Sequence, residues 1–351
     1  MMTDSDLDRT TNKAWGCLMG VAAGDAMGMP SSFLTRERIR RDYGWIAEFL
    51  PAPEGHAQHA GLAAGQVTDD TQQTICLAGT IIDRGDIEPA AFARALVSWA
   101  KNAGVFGVER GIVGPTTRIA LKEIDRGKDL KQIGRYGKTN GAVMRISPIG
   151  ILNAFGNRTL EEIMKDVEKA CLPTHWTNLA IAGAGAVASI IAAFLNGADL
   201  DAATSRAREA IRIGFDLGTP ATGSSLLRRL DLALEIVRNQ GCTAEVQREL
   251  CDVIGNELPV YETVPFCIAL MHLTEGKPME AIELAANLGG DADTTGSIVG
   301  GMCGANAGIE AFPDRVCQTI ERVNQLGLRK VAVDLLEVSR RRSSLQQSPR
   351  R

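Results

Sequence analysis

The stretch Gly289-Gly290-Asp291-Ala292-Asp293-Thr294-Thr295 joins two glycines, two carboxylates one residue apart and two hydroxyls. A run of small and apolar residues follows it, over 298–309. Side chains at i and i+2 of a helix point about 200° apart, so these two acids cannot face one target from a helix interior. The pattern therefore predicts a glycine-shaped loop that enters a buried helix, with Asp293 or Thr294 as the cap.

A second acidic corner, Thr68-Asp69-Asp70-Thr71, lies far upstream and leads into the apolar run 74–82. If the two corners met, their carboxylates would repel one another. A like-charge pair at 4 Å costs roughly 1 kcal/mol in water and about 4 kcal/mol at an effective dielectric of 20. Neither corner contains a Lys or Arg to offset this repulsion. We predict that the corners meet around divalent cations; the alternative is four helix caps that face water.

Both corners offer oxygen donors only, with no Cys or His beside them in the sequence. Such donors are typical of Mg²⁺, Mn²⁺ or Ca²⁺ sites and argue against zinc. His56 and His59 lie in a long Pro- and Gly-containing connection over 29–66. They are an alternative metal site, but two loop histidines at i and i+3 are more typical of solvated side chains.

The 351 residues suffice for one large domain or two ordinary ones, and 45% of them are apolar. The net charge of −4 gives no reason to expect a nucleic acid partner. Eight scattered cysteines without a CxxC spacing predict free thiols in a cytoplasmic protein, and the polar first residues do not resemble a secretory signal. The apolar run 179–195 is rich in Ala and Gly, which favours a buried helix over a membrane span.

The chain shows helical periodicity throughout and no alternating strand pattern of useful length. We predict an all-α protein with one domain over 13–340, a flexible leader at 1–12 and a disordered basic tail at 341–351. We expect a monomer. Glycines at positions 16, 20, 24 and 28 line one face of the first helix, so another backbone should pack very close to it. Asp25 on that helix either faces the predicted cation site or bonds a neighbouring helix.

Three further places could contact a ligand. Lys138 and Arg145 bracket a glycine-flanked helix start that either cradles a phosphate or is an ordinary turn capped by Asn140. His175, at the start of the helix that follows, either contacts a ribose or base or is a hydrogen-bonded structural residue. Tyr261, in a loop before Pro265, is an exposed aromatic candidate for stacking on a base.

In their order along the chain, the motifs resemble those of the ADP-ribosylglycohydrolases, and the likeness covers roughly 13–340. Each motif alone is weak evidence, whereas the ordered set is specific. The motifs are Gly16-Cys17-Leu18-Met19-Gly20 through Gly24-Asp25-Ala26-Met27-Gly28, Thr68-Asp69-Asp70-Thr71, Gly114-Pro115-Thr116-Thr117, Asn140-Gly141-Ala142-Val143-Met144-Arg145, Thr174-His175, Glu262-Thr263-Val264-Pro265 and the stretch that begins at Gly289.

The resemblance implies a single compact domain of orthogonally packed helices and a centre of two Mg²⁺ or Mn²⁺ ions. By position, the ligands of these ions would be Thr68, Asp69, Asp70, Asp291, Asp293 and Thr294. A loop would wrap the pyrophosphate and ribose, namely Gly137, Lys138, Thr139, Asn140 and Gly141. His175 would contact the substrate, and Leu258 and Tyr261 would lie near its adenosine end.

The implied reaction is hydrolysis of the bond at C1″ of ADP-ribose, commonly to an arginine nitrogen. The substrate would be an ADP-ribosylated protein or a small ADP-ribosyl compound. Two cations can orient the ribose and polarise a water, and a carboxylate can take the proton of that water. Asp69 or Asp291 is the candidate for that catalytic carboxylate.

One position departs from the family pattern. Ser32 stands where the family usually has a glutamate that helps to hold a metal or guide the substrate. Glu37 or Glu48 would replace that carboxylate if either reached in from the long connection. This departure motivates one alternative function, binding of ADP-ribose without turnover. A separate alternative is cleavage of another N-glycosidic bond, such as that of a nucleoside.

Overall fold

A computed structural model describes residues 4–107, 113–156, 158–238 and 240–347, and within these ranges the fold is all-α, as predicted. The described residues form no strand, only two isolated bridges, between Thr139 and Pro259 and between Thr177 and Thr219. The α-helices are α1 (Asp4–Gly28), α2 (Arg36–Tyr43), α3 (Asp69–Arg84), α4 (Pro89–Asn102), α5 (Pro115–Asp125), α6 (Leu130–Ile133), α7 (Ser147–Leu152), α8 (Leu160–Cys171), α9 (Asn178–Leu195), α10 (Leu200–Gly214), α11 (Leu226–Val237), α12 (Ala244–Glu249), α13 (Val260–Leu273), α14 (Pro278–Leu288), α15 (Ala292–Ala307), α16 (Asp314–Asn324) and α17 (Leu328–Gln347).

The glycine stripe of α1 packs directly on the backbone of α15, as its spacing predicts. A Cβ placed on Gly20 would lie 1.9 Å from the carbonyl oxygen of Gly300, and one on Gly24 would lie 2.0 Å from that of Gly296. Gly16 and Gly28 meet the two ends of α15 in the same way. Because α15 follows one acidic corner and α1 carries Asp25, this contact fixes where both sets of acids lie.

The 18 residues of α9 run through the interior of the protein. Every residue from Leu179 to Leu195 is buried, and the helix packs against α7, α8 and α10. It is long and apolar enough to cross a membrane by composition alone, but 94% of it is buried inside the protein. The interpretation as a buried helix is therefore confirmed. All eight cysteines lie in described residues, and none of them is paired.

Both ends of the chain differ from the prediction. Helix α1 starts at Asp4 instead of near Lys13, because Thr10 is buried and Asn12 accepts a hydrogen bond from the backbone N–H of Ile309. Helix α17 continues to Gln347, since Arg342 pairs with the buried carboxylate of Asp166 at 3.0 Å. The predicted leader at 1–12 and the disordered tail at 341–351 are thus helical over most of their length. Residues 1–3 and 348–351 lie outside the described residues.

Two inner segments also differ. Helix α2 lies within the predicted loop 29–66, where Thr35 caps it and Ile39 is its one buried residue, so hydrophobic periodicity gave no signal there. Helix α13 begins at Val260, ahead of the predicted start at Pro265. A proline there removes only the hydrogen bond to the carbonyl of Tyr261, and the helix is otherwise buried.

Candidate active site

The two acidic corners meet, as the central hypothesis requires. Asp69 and Asp70 at the start of α3 line the same cleft as Asp291, Asp293 and Thr294 at the start of α15. The rest of the cleft wall comes from five other segments: Phe33, Gln58, Gly114, Pro115, Thr116, Thr117, Thr139, Asn140, Gly141, Met144 and Leu258. We call this space the cleft below.

The first corner is built around Asp25. Its carboxylate is fully buried and accepts the backbone N–H groups of Thr68 at 3.0 Å and Thr71 at 3.1 Å. The hydroxyl of Thr71 donates to the same carboxylate. Asp25 therefore stabilises the start of α3 through hydrogen bonds. Of the two predicted roles for this residue, it has the one in which it bonds a neighbouring helix. Asp69 and Asp70 are left at the first turn of α3, beside the cleft.

The second corner is shaped by Gly289 and Gly290, whose φ values of +71° and +65° are open to glycine at little cost. The next residue, Asp291, donates its backbone N–H to the carbonyl of Asn256 and accepts the side-chain amide of Asn140 at 2.5 Å. The glycines thus turn the chain so that Asp291, just before α15, and Asp293, in its first turn, both line the cleft, as the predicted loop-to-helix junction requires. The predicted cap is wrong: Asp291, not Asp293 or Thr294, is the N-cap residue, and its side chain makes no capping hydrogen bond among the described residues.

The carboxylates of the two corners raise one another's pKa. Burial raises the pKa of Asp69, Asp70 and Asp291 well above the usual value, and the charge of Asp293 raises it further in all three. Burial and the neighbouring Asp293 also bring the pKa of Asp25 to about 6, against hydrogen bonds that lower it. None of the described residues that line the cleft is a Lys, Arg or His, so no side chain of the cleft wall offsets the charge of these carboxylates.

The donor set fits a hard divalent cation. One oxygen of Asp70, Oδ1, is buried without a hydrogen-bond partner among the described residues. The described His, Cys, Asp and Glu side chains do not close into a group of three around one point. An open set of carboxylate and hydroxyl oxygens is what Mg²⁺ uses, because it keeps several water ligands. Thr68 is fully buried under this corner, and its hydroxyl contacts the backbone N–H and carboxylate of Asp70.

His59 is part of this site, contrary to the prediction of a solvated loop residue. It is 1% exposed, and its Nε2 lies 2.9 Å from Oδ2 of Asp293. Burial lowers the pKa of His59, but the carboxylates of Asp293, Asp69 and Asp25 outweigh this and raise it. Burial alone would raise the pKa of the Asp293 carboxyl, but His59 and a hydrogen bond from Ser32 lower it to about 2.

Ser32 occupies the position at which the family pattern has a glutamate. It is fully buried and donates its hydroxyl to Oδ1 of Asp293 at 2.6 Å. Glu37 and Glu48, the two proposed replacements, are exposed to solvent and do not line the cleft. Asp293 is therefore contacted by the hydroxyl of Ser32 and the imidazole of His59, where the family pattern would place the carboxylate of a glutamate.

The loop 137–141 runs along the cleft beside Leu258. The backbone N–H of Asn140 donates to the carbonyl of Leu258 at 2.9 Å, and Val260 donates to Lys138 in the bridge between the two segments. Because Asn140 also holds Asp291, the loop is tied directly to the acidic corner. Its charged side chain points elsewhere: Nζ of Lys138 is exposed and donates to the carbonyl of Thr222.

His175 supports this loop from inside the protein. It is fully buried, with Nε2 2.9 Å from the hydroxyl of Thr139 and Nδ1 2.7 Å from that of Thr174. A Cβ on Gly141 would lie 2.7 Å from its ring, so only glycine fits above it. Burial lowers the pKa of His175 to about 3. Of the two predicted roles, His175 therefore has that of a hydrogen-bonded structural residue, and it lies behind the cleft wall.

Arg145 links this support to the first corner. Its guanidinium is fully buried and donates to Oε1 of Gln73 at 2.6 Å and to the hydroxyl of Thr174. The amide of Gln73 in turn donates to Asp69 at 2.7 Å. Hydrogen bonds therefore run without a gap from the carboxylate of Asp69 to His175. Because its guanidinium is buried and hydrogen-bonded within the protein, Arg145 does not face a phosphate in the cleft. The sequence interpretation in which Lys138 and Arg145 bracket a phosphate is therefore wrong for Arg145.

Comparison with known proteins now bears on this geometry. The sequence profile of the family described as ADP-ribosylglycohydrolase matches residues 6–344. The chain belongs to the ADP-ribosylglycohydrolase family. The uncharacterized protein YegU of Escherichia coli (strain K12) is 35% identical over 336 residues, which are 95% of this chain and 99% of that protein.

Two further comparisons agree. ADP-ribosylarginine hydrolase Tri1 of Pseudomonas putida (strain GB-1) is 27% identical over 310 residues, 87% of this chain and 73% of that protein. A solved structure titled ADP-ribosylglycohydrolase-related protein complex has the same fold, with a TM-score of 0.69 at 23% identity over 95% of this chain and 99% of that one. Membership of the ADP-ribosylglycohydrolases indicates a hydrolase of glycosidic bonds of ADP-ribose.

In this ADP-ribosylglycohydrolase, most predicted site residues line the cleft and five do not. Thr68 is buried beneath the first corner, and Gly137 lies in the loop just before the part that lines the cleft. Lys138 turns outward, His175 lies behind Thr139, and Tyr261 packs beside Gly223 with Arg229 over its ring at 5.8 Å. Sequence reasoning missed Phe33, whose φ of +60° is unusual for a non-glycine and whose N–H bonds the carbonyl of Gly290. No local sequence pattern marks that strain.

Proposed function

We propose that this protein is a divalent-cation-dependent hydrolase that cleaves the bond at C1″ of ADP-ribose. The observation that carries the proposal is the meeting of the two acidic corners in one cleft whose wall also contains Thr139, Asn140 and Gly141. The favoured substrate is ADP-ribose on an arginine of a protein, since the relative from Pseudomonas putida is named an ADP-ribosylarginine hydrolase over most of the same length. A small ADP-ribosyl compound offers the same bond.

Two Mg²⁺ or Mn²⁺ ions would be held by the oxygens of Thr68, Asp69, Asp70, Asp291, Asp293 and Thr294. When bound, they would neutralise the buried carboxylates and polarise the ribose hydroxyls and a water. Thr139, Asn140 and Gly141 on the cleft wall would orient the phosphate and ribose, with the backbone N–H groups of Thr139 and Gly141 as the donors, since that of Asn140 already bonds Leu258.

Asp69 and Asp291 are the candidate acids for taking the proton of the attacking water. Each has one carboxylate oxygen held by an amide, from Gln73 on Asp69 and from Asn140 on Asp291. This contact fixes the plane of the carboxylate and leaves the other oxygen for the water. The bond that breaks joins C1″ to the arginine nitrogen, and the bond that forms joins C1″ to the water oxygen. The proton taken from the water returns to the leaving guanidine nitrogen, so the products are ADP-ribose and free arginine.

The test is release of ADP-ribose from ADP-ribosyl-arginine and ADP-ribosyl-serine, followed by chromatography with Mg²⁺, with Mn²⁺ and with EDTA. We expect release that EDTA stops and added cation restores. Asp69→Asn should lower kcat by at least about 100-fold, the range in which acid–base groups act. Asp42→Asn, on the exposed face of α2, is the matched control and should leave kcat unchanged. Equal release in EDTA would refute the cation dependence, and turnover of unphosphorylated nucleosides instead would favour the nucleoside N-glycosidase.

Ser32 motivates a second candidate, a binder of ADP-ribose without turnover. Its hydroxyl cannot supply the charge of the glutamate that the family pattern has there, although it holds Asp293. Calorimetry would show binding of ADP-ribose by a protein that releases none from any substrate above, and Ser32→Glu would then restore release. An active unmodified protein rules this candidate out.

A further inference from the structure

We infer that His59 is a nitrogen ligand of a divalent cation held beside Asp293, which gives this site a mixed set of nitrogen and oxygen donors. The inference rests on the proposed cation-dependent function and names a ligand that the family motifs do not contain. Sequence spacing pointed away from it, because His59 lies ten residues before Asp69 in a long connection. The fold brings the two together.

His59 is buried and close to a carboxylate, yet its ring nitrogens make no aligned hydrogen bond among the described residues, which suits a ligand whose ion is not yet bound. Its side chain is 1% exposed, and neither Nδ1 nor Nε2 has an aligned hydrogen bond among the described residues. The 2.9 Å approach of Nε2 to Asp293 is a close contact without hydrogen-bond alignment. Native proteins normally satisfy a buried ring nitrogen with a hydrogen bond, an ion or a water.

The separation of the two donor atoms is that of neighbouring ligands on one ion. Imidazole nitrogens and carboxylate oxygens lie roughly 2.1 Å from cations such as Mg²⁺ and Zn²⁺. Two such ligands at a right angle are about 3.0 Å apart, and at a tetrahedral angle about 3.4 Å apart. The observed distance of 2.9 Å from Nε2 of His59 to Oδ2 of Asp293 matches the right angle of an octahedral ion.

His56 holds the ring of His59 in place. The two rings stack with their centroids 4.9 Å apart, and Nδ1 of His56 accepts the backbone N–H of His59 at 3.0 Å. Because Nδ1 accepts, Nε2 of His56 carries the proton and donates to the carbonyl of Ser32 at 3.0 Å. His56 therefore ties the residue that replaces the family glutamate to the segment that brings in the imidazole.

The expected consequence is a change in cation preference. Carboxylate and hydroxyl oxygens alone suit Mg²⁺, whereas an imidazole nitrogen raises affinity for transition metals relative to Mg²⁺. We expect the wild-type protein to bind Mn²⁺ more tightly than Mg²⁺, and His59→Gln to lose at least about 10-fold in Mn²⁺ affinity while losing little for Mg²⁺.

The test measures Mn²⁺ alone on the full chain, without any turnover. Calorimetry gives the Kd, and electron spin-echo envelope modulation of bound Mn²⁺ shows whether a nitrogen is coordinated. His272→Gln is the matched control, since the ring of His272 bonds Thr204 away from the cleft. Wild-type protein grown with ¹⁵N-histidine serves as a second arm that needs no substitution, so the assignment stays testable even if His59→Gln fails to fold.

The expected result is ¹⁴N modulation in the wild type and in His272→Gln, its loss in His59→Gln, and a change to the ¹⁵N pattern in the labelled protein. Bound Mn²⁺ without nitrogen modulation would overturn the ligand assignment and leave the cation-dependent function standing. Modulation that survives His59→Gln would also overturn it. Failure of the wild type to bind Mn²⁺ or Mg²⁺ at all would overturn both.

Discussion

Asp293 and His175 show how burial sets the chemistry of single residues here. Asp293 is contacted by Ser32 and His59, and these contacts keep its pKa low while those of the other corner carboxylates rise. Burial, and after it the positive charge of Arg145, lower the pKa of His175 to about 3. One residue is therefore a fixed anion beside the cleft, and the other a fixed neutral support behind the loop 137–141.

His175 should make the protein lose stability on acidification. Its pKa is about 3 in the fold and near 6.5 when unfolded, so the unfolded state takes up the proton first as the pH falls. The stabilisation is complete above pH 6.5 and is lost progressively towards pH 3. Comparing urea unfolding of the wild type with His175→Asn, we expect the difference in unfolding free energy to shrink by about 3 kcal/mol from pH 7.5 to pH 4.5. Parallel pH profiles would show that the fold leaves the pKa of His175 near its unfolded value and would contradict this account.

Sequence reasoning found the acids of this site but not the histidine. The acids stand at helix starts beside glycines, a local pattern that can be read from neighbouring residues. His59 reaches Asp293 only because Phe33 and Leu34 pair with Gly290 and the connection then folds back through His56. That path depends on contacts between residues more than two hundred positions apart, and nothing near His59 in the sequence records it.

The pairing of α1 with α15 is the element on which the site depends. Helices whose backbones touch need glycine on both sides, and Gly20 meets Gly300 as Gly24 meets Gly296. Helix α1 brings Asp25, which supports α3, and α15 brings the second corner. The four-residue period of glycines made this contact predictable, although the partner helix was not.

Gly20→Ala should separate these helices. Its Cβ would lie 1.9 Å from a backbone oxygen, so the helices must shift, and we expect a loss of about 3 kcal/mol or more in unfolding free energy. Gly79→Ala in the interior of α3 is the matched control, because its Cβ would meet open space, and it should stabilise by up to about 1 kcal/mol. Urea denaturation checks both. A Gly20→Ala protein as stable as the wild type would mean that the helices do not touch.

The ends of helices were harder to predict than their pairing. Helices α1 and α17 extend beyond the apolar periodicity through polar contacts such as that of Arg342 with Asp166. Helix α2 has a single buried residue, Ile39. Periodicity detects a buried face, so helices stabilised by caps and ion pairs escape it.

For the molecule as a whole, bound cations should link two segments that are distant in the sequence and so stabilise the folded state. The corner at α3 and the corner at α15 lie more than 200 residues apart, and their carboxylates repel until neutralised. Anything that binds only the folded state stabilises it, by about 2.7 kcal/mol at 100 times the dissociation constant. Cation affinity and fold stability are therefore linked in this protein.

Asp70→Asn tests that link. Removing this charge relieves repulsion, so the cation-free variant should unfold at the same or a higher temperature than the wild type. Saturating Mn²⁺ should raise the unfolding temperature of the wild type and of the control Asp42→Asn by several degrees, and that of Asp70→Asn much less. Thermal unfolding followed by circular dichroism gives all three shifts. The same Mn²⁺ shift in Asp70→Asn would place the ion elsewhere.

Anomalous X-ray scattering at the manganese edge, from crystals grown with Mn²⁺, is the most direct test of the central claim. The account predicts anomalous density in the cleft between the carboxylates of Asp69 and Asp70 and those of Asp291 and Asp293. Crystals that hold Mn²⁺ only at other places, with the cleft empty, would contradict it.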